Sequence, residues 1–355
     1  MSATVSVVIP ARDSQHTIRH TLESLARQTR QPDEVIIVVG PDDLTHTTIE
    51  SFVDIGFVRV LEVDPPAELV RDAHWKRWVG AKAAKGDVIF FTDSKVIVEE
   101  QAIEKALELM DRYGVMVVAG ITAAWPDQAQ HFMAKVQDKG LVVNNPQFPD
   151  VGFLTRENFG ESESLPVTTT LFIARQAFEC FQDDFGIDFS AMASSYDDYV
   201  VAWLLVRAGV TILITNKVVA HHRHRLTWKN YTAQIARSGQ SAAVLLFQYP
   251  DCPFGKRRLV QSFTALGLTV VSGIVAITSI LTLGSIAVSV IAGLTIGSFF
   301  VLGIANAIKA KDAWGFLIPP VTVLLILIFA FHFSKGWLKR GHFDPQEVEK
   351  YRQIH

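Results

Sequence analysis

The hydrophobic pattern of the chain changes period repeatedly along its first third. Predominantly apolar runs at 5–10, 35–39, 57–63, 87–91 and 115–119 predict buried strands. Between them, 16–30, 68–85 and 99–113 carry apolar residues at helical spacing, with Ile18, Leu22 and Leu25 on one face of the first. Non-alternating strands joined through helices predict a mostly parallel α/β sheet covered on both faces, a Rossmann-like architecture. Ligands of such sheets sit at the C-terminal strand ends. Here those ends are the loops at 10–13, 40–43 and 92–95. The pattern weakens over 125–166, which reads as irregular chain. It returns as a strand at 167–174, a helix that starts at Asp197-Asp198 and ends at Arg207-Ala208-Gly209, a strand at 210–214 and a helix at 227–247.

The last third has a different character. The 50 residues from Leu259 to Ile308 contain no Asp, Glu, Lys or Arg. As helix they would run about 75 Å, against a hydrocarbon core of about 30 Å. Two membrane passes are expected, with a turn at Thr282-Leu283-Gly284-Ser285. A third apolar segment covers 313–333, where Pro319-Pro320 either start a spanning helix or bend a re-entrant one. Lys256-Arg257-Arg258 before the first pass and Lys309 and Lys311 after the second place both ends of the hairpin on the cytoplasmic side. Lys335, Lys339 and Arg340 oppose that rule if the third segment spans. The expected organisation is an α/β domain at 1–225, an interfacial or gating segment at 226–258, membrane helices at 259–335 and a polar tail at 336–355.

Composition narrows the function classes. A net charge of −3 over 355 residues gives no support for nucleic-acid binding. Cys180 and Cys252 have no metal or redox spacing and read as reduced cytosolic thiols. The N-terminus runs straight into a strand with no signal-peptide pattern, so the α/β domain is expected to be cytoplasmic and the protein multi-pass in the cell membrane.

Two carboxylates at the ends of separate elements are the candidate chemistry. Asp198 opens an apolar helix, and Asp93 follows the apolar run ending at Phe91. A carboxylate can hold an attacking hydroxyl and accept its proton. The purely structural alternative is that Asp197 and Asp198 begin a helix, where acidic residues favour the dipole.

Several stretches carry a resemblance in order and spacing. They are Val5 to Asp13, then Thr21-Leu22-Glu23-Ser24-Leu25 and Pro32-x-Glu34-Val35-Ile36. Next come Arg77-x-x-Gly80-x-x-x-Ala84-x-Gly86-Asp87 running on to Asp93, Asp197-Asp198 through Gly209, and His222-x-His224 followed by Gln234-x-x-Arg237. Together they resemble glycosyltransferase family 2, inverting enzymes of the GT-A fold, over residues 5 to 245. The resemblance implies a nucleotide-diphosphate sugar lying across Pro10, Ala11, Arg12, Asp42, Arg77, Asp93 and Lys95. Asp198 would be the catalytic base. A divalent cation, Mg²⁺ or Mn²⁺, would be held by Asp93 and His222. Asp197, Trp228, Gln234 and Arg237 would face the acceptor or gate the site.

Three departures matter. Lys95 replaces the second acid of the family's Asp-x-Asp motif. Either it turns outward beside a bound cation, or it neutralises the phosphates itself and metal dependence is weak. Gly40-Pro41-Asp42-Asp43 replaces the usual Asp-Asp-Gly-Ser loop, and Ser238 stands where processive synthases have a stacking Trp. The last point, with few membrane passes, implies addition of a single sugar to a lipid or lipid-linked saccharide, as in glycolipid or polysaccharide biosynthesis. A polyprenyl-phosphate acceptor is the alternative within the class. Outside it stands a catalytically silent nucleotide-binding membrane scaffold.

Overall fold

The computed structural model describes residues 3–53, 57–66, 72–139, 148–162, 165–181, 197–310 and 313–340. It divides into two compact units. The first comprises 1–129, 144–224 and 344–355, the second 130–143 and 225–343.

The first unit is built on one sheet. Its strands are β1 (Val5–Pro10), β2 (Glu34–Val39), β3 (Val58–Glu62), β4 (Val88–Phe91), β5 (Val96–Val98), β6 (Val117–Ala124), β7 (Gly152–Leu154), β8 (Leu171–Ala174) and β9 (Ile212–His222). Among the described residues they order as β3-β2-β1-β4-β8-β6-β9-β5, with β7 also paired to β9. The expected parallel arrangement holds from β3 to β4: Val7 faces both Val35 and Phe90 in parallel register. Beyond β4 the sheet is mixed, because β8 runs antiparallel to both β4 and β6. The Phe90 and Phe172 rings stack at 4.0 Å across that junction, which suits an aromatic cross-strand pair.

The helices of this unit are α1 (Ile18–Ala26), α2 (His46–Val53), α3 (Ala73–Ala83), α4 (Ala102–Tyr113), α6 (Arg175–Glu179) and α7 (Asp197–Arg207). As predicted, Ile18, Leu22 and Leu25 of α1 are buried. Gly80 explains the seating of α3. A Cβ there would lie 2.5 Å from Val8 Cγ1 and 2.9 Å from Val38 Cγ2, so only glycine lets this helix lie so close to β1 and β2. Gly209, at φ +82°, takes the left-handed position that stops α7.

Several sequence expectations need correction. The stretch 125–166 is not wholly irregular: it holds β7 and, in the second unit, α5 (Phe132–Lys139). The strand expected at 167–174 begins as a 3₁₀ turn, Thr168–Thr170. The strand expected to stop at 214 runs on to His222, because β6 and then β5 continue to pair with it. The short helix α2 was not anticipated. Part of the helix expected at 68–85 lies outside the described residues.

The second unit is helical: α8 (Trp228–Gln248), α9 (Pro253–Ala310) and α10 (Ile318–Leu338). Thr227 caps α8 by accepting the Asn230 N–H. Helix α9 is continuous through 282–285, so the expected hairpin turn is absent. The physical reason is local. No proline interrupts the ladder, one glycine costs only about 1 kcal/mol, and the Thr282 hydroxyl bonds back to the Thr278 carbonyl at 2.8 Å. Pro319 and Pro320 do not bend the third segment either. They sit in the first turn of α10, where the missing N–H groups have no intrahelical acceptor. Two stretches, Pro253–Ser279 and Gly315–Leu338, are long and apolar enough to cross a membrane. Phe263 and Trp337 pack edge to face at 5.3 Å between α9 and α10.

Candidate active site

Antiparallel pairing between β4 and β8 gathers the two candidate carboxylates. Phe91 faces Leu171 at the last register pair. Asp93 lies two residues beyond Phe91, and Thr168 lies three residues before Leu171. Both therefore leave the sheet at the same end. Thr168 in turn holds Asp198: its backbone N–H and its hydroxyl donate to Asp198 Oδ1 at 2.9 and 2.5 Å. Two donors on one oxygen fix the carboxylate's orientation and stabilise its charge. Asp198 is half-buried near the start of α7, whose segment from Val200 to Val206 is buried in the core. The base candidate thus rides on a rigid element.

Asp93 is bound by Arg77 of α3, Nη2 to Oδ1, at 2.6 Å, and the two side chains are 18% and 6% exposed. Burial works towards the neutral acid. The charges of Arg77, His222 and Lys95, together with the Arg77 hydrogen bond, outweigh it and hold the Asp93 carboxyl below the usual carboxylate range. The β5–β9 pairing sets Val96 opposite His222. The Lys95 carbonyl accepts the Arg223 N–H and the Trp125 Nε1–H, both at 3.1 Å. Asp93, Lys95 and His222 therefore occupy one corner. His221, by contrast, faces Ala124 O and Glu99 at 3.0 and 3.3 Å.

These residues suit a divalent cation only as a half-built seat. Among the described residues no group of three or more His, Cys, Asp or Glu could hold a metal. A carboxylate oxygen and an imidazole nitrogen are acceptable donors for Mg²⁺ or Mn²⁺. The remaining ligands would be donor phosphate and water, which is the usual coordination of Mg²⁺ at phosphate sites.

The other predicted residues sit around the ends of β1 and β2. Pro10 ends β1, and the Ala11 carbonyl accepts a hydrogen bond from Lys76 Nζ at 2.7 Å. Arg12 is exposed, 4.0 Å from Asp13. Asp42 is also exposed, at φ +56°, and Asp13 has φ +48°. Both take the left-handed conformation that Asp tolerates better than most residues. Asp197 is the first residue of α7. Trp228, Gln234 and Arg237 belong to α8 of the second unit. There Trp228 is exposed, Gln234 accepts from Arg225 at 2.9 Å, and Arg237 is buried.

Sequence reading missed four participants. Thr168 lies in a Thr-Thr-Thr run that read as ordinary strand. Lys76, 1% exposed and 2.8 Å from Asp72, lies within the helix expected at 68–85 and carried no assigned role. Asp43, buried, stands in the Gly40-Pro41-Asp42-Asp43 loop, where only Asp42 was given a role, although Asp43-Leu44-Thr45 has the spacing of a side-chain turn. Trp125 read as the start of irregular chain.

A parallel-to-mixed sheet with carboxylates and cations at its strand ends has the GT-A architecture. Residues 6–177 match the model for glycosyl transferase family 2, and this part of the chain belongs to that family. The mannosyltransferase PcManGT from Pyrobaculum calidifontis, solved with GDP-Man and Mn²⁺, is 13% identical. That match covers 94% of this chain and 88% of that one, with a TM-score of 0.60. TarS from S. aureus is 15% identical over 68% of this chain, with a TM-score of 0.47, and the chain spans 42% of it. A search of curated proteins finds no match.

Proposed function

We propose that the chain transfers one sugar from a nucleotide-diphosphate sugar to a hydroxyl of a lipid or lipid-linked saccharide. The transfer takes place at the cytoplasmic face of the cell membrane, with inversion at the anomeric carbon. One observation carries the reading: the carboxylate that Thr168 holds at Asp198 and the Arg77–Asp93 pair leave the sheet at the same end.

In this reading the donor lies across the ends of β1, β2 and β4, along Pro10, Ala11, Arg12 and Asp42, with its diphosphate towards Arg77, Asp93 and Lys95. The acceptor oxygen attacks the anomeric carbon as the bond to the diphosphate breaks. Asp198 takes the hydroxyl proton, and Thr168 keeps the carboxylate aimed while it does so. Lys95 offers an ammonium towards the charge that develops on the leaving group. PcManGT binds Mn²⁺ with its nucleotide sugar. A divalent cation held here by Asp93 and His222 would likewise neutralise diphosphate charge when bound. Asp197, Trp228, Gln234 and Arg237 serve the acceptor side. The apolar stretches of α9 and α10 anchor the enzyme beside its lipid acceptor, with Lys256, Arg257 and Arg258 on the cytoplasmic side.

The test is transfer of radiolabelled sugar from a panel of nucleotide-sugars into membrane extracts by the full chain. Asp198→Asn is expected to bind nucleotide and lose transfer. Equal transfer by that variant removes Asp198 from the base role.

A further inference from the structure

Three loops that the donor would cross are joined by a chain of polar groups, of which Asp43, Thr45 and Ser94 are buried and Ser14 is half-buried. Asp43, 8% exposed, accepts on Oδ1 from the Asp13 N–H at 3.0 Å, the Thr45 N–H at 2.9 Å and the Thr45 hydroxyl at 2.5 Å. The Thr45 Oγ1, fully buried, accepts the Ser14 N–H at 2.9 Å. The Ser14 and Ser94 hydroxyls then share a 2.7 Å hydrogen bond, and Ser94 is 6% exposed. Ser94 sits between Asp93 and Lys95. The loops after β1, β2 and β4 are thereby tied through side chains, beyond the last backbone bonds between these strands, from the Ala11 N–H to the Val38 carbonyl and from the Thr92 N–H to the Val8 carbonyl.

We infer that this relay is a positioning device and that the Ser14–Ser94 hydroxyl pair is its latch, setting the height of the Asp93–Lys95 loop against the loop that carries Arg12. The inference rests on the donor site proposed above. None of the four residues needs to touch the reacting atoms. Their effect passes through Asp93 and Lys95, whose placement against a diphosphate must hold within a fraction of an ångström. Asp13 at φ +48° fits the same picture. Its left-handed backbone is held by the bond its N–H donates to Asp43, as strained turns at working sites are held by their surroundings.

The experiment is a double-mutant cycle on the full chain in detergent, with Ser14→Ala, Ser94→Ala and the double variant. Donor KM and kcat are read from sugar transfer, and UDP and GDP affinity from calorimetry. Each single variant is expected to raise donor KM and weaken the better-bound diphosphate about tenfold, with the double variant no worse than either single, because coupled residues are not additive. Thr45→Ser, which keeps the hydroxyl, is expected to retain the wild-type KM. Thr45→Val is expected to raise it. A merely structural role would lower the melting temperature and leave KM unchanged. Single variants with wild-type KM and affinity, or effects that multiply in the double, overturn the latch alone. A wild-type chain that binds neither UDP nor GDP and transfers no sugar overturns the donor site and the latch together.

Discussion

Thr168 commits both its backbone N–H and its hydroxyl to one oxygen of Asp198, at 2.9 and 2.5 Å. The bond ties the first turn of α7 to the turn that feeds β8. It follows that Thr168, far from Asp198 in sequence, governs how the candidate base is presented. Replacing Asp198 with Asn is expected to lower the single-turnover transfer rate by about 10² to 10⁴-fold, the usual worth of a general base. Thr168→Val should lower it about tenfold, in line with one hydrogen bond to a charged group, and Thr168→Ser should restore it. Rapid-quench measurement of labelled product distinguishes these outcomes.

Arg77 and Asp93 form a largely buried pair at 2.6 Å. Removing Arg77 leaves a carboxylate without its partner, so Arg77→Ala is expected to destabilise the first unit by about 3 kcal/mol. The double variant Arg77→Ala, Asp93→Ala should lose less than the single. The sign of the pH dependence follows from the carboxyl being held below its usual range. A lowered native value contributes stability that is complete above about pH 4 and is lost as pH falls through the native value. The stability gap between wild type and Arg77→Ala is therefore expected to close on acidification below about pH 4. Urea unfolding followed by tryptophan fluorescence at several pH values measures it.

Lys95 stands where a second carboxylate would complete a cation seat with Asp93 and His222. Lys95→Asp is expected to tighten Mn²⁺ binding about tenfold, because affinity at such sites follows the number of charged oxygen ligands. Transfer by that variant should become sensitive to chelators. Calorimetric titration of Mn²⁺ in the presence of UDP or GDP reads the first effect. Unchanged affinity would mean that the side chain at 95 turns away from the donor phosphates.

Helix α9 runs without a break through Thr282. Proline there would remove one intrahelical bond and clash with the preceding turn, a cost of about 3 kcal/mol. Thr282→Pro is expected to lower the thermal stability and helicity of the second unit in detergent. A turn at 282–285 would accept proline with little loss. Circular dichroism melts of the two chains decide between them.

The apolar runs and their spacing were sufficient for β1 to β4 and for α1 and the described part of α3, because continuous burial and helical period are local properties of the chain; for the tail they marked the apolar helices but not the unbroken course of α9. Asp93, a lone carboxylate after an apolar run, and Asp198, in an acidic pair that opens an apolar helix, stood out as candidates. What local pattern could not supply was direction and company. An antiparallel strand and a parallel one carry the same side-chain alternation, so only the assembled sheet reveals that β8 returns against β4. That reversal is what brings Thr168 and Asp198 to the end where Asp93 emerges. Likewise, polar residues such as Ser14, Ser94, Asp43 and Thr45 read as ordinary turn residues until their neighbours are known, since a hydrogen bond across 30 to 80 positions leaves no mark on sequence spacing. The chemistry of the individual residues was written in the chain. Their grouping was decided by the sheet's pairing order and by the close seat that Gly80 gives α3.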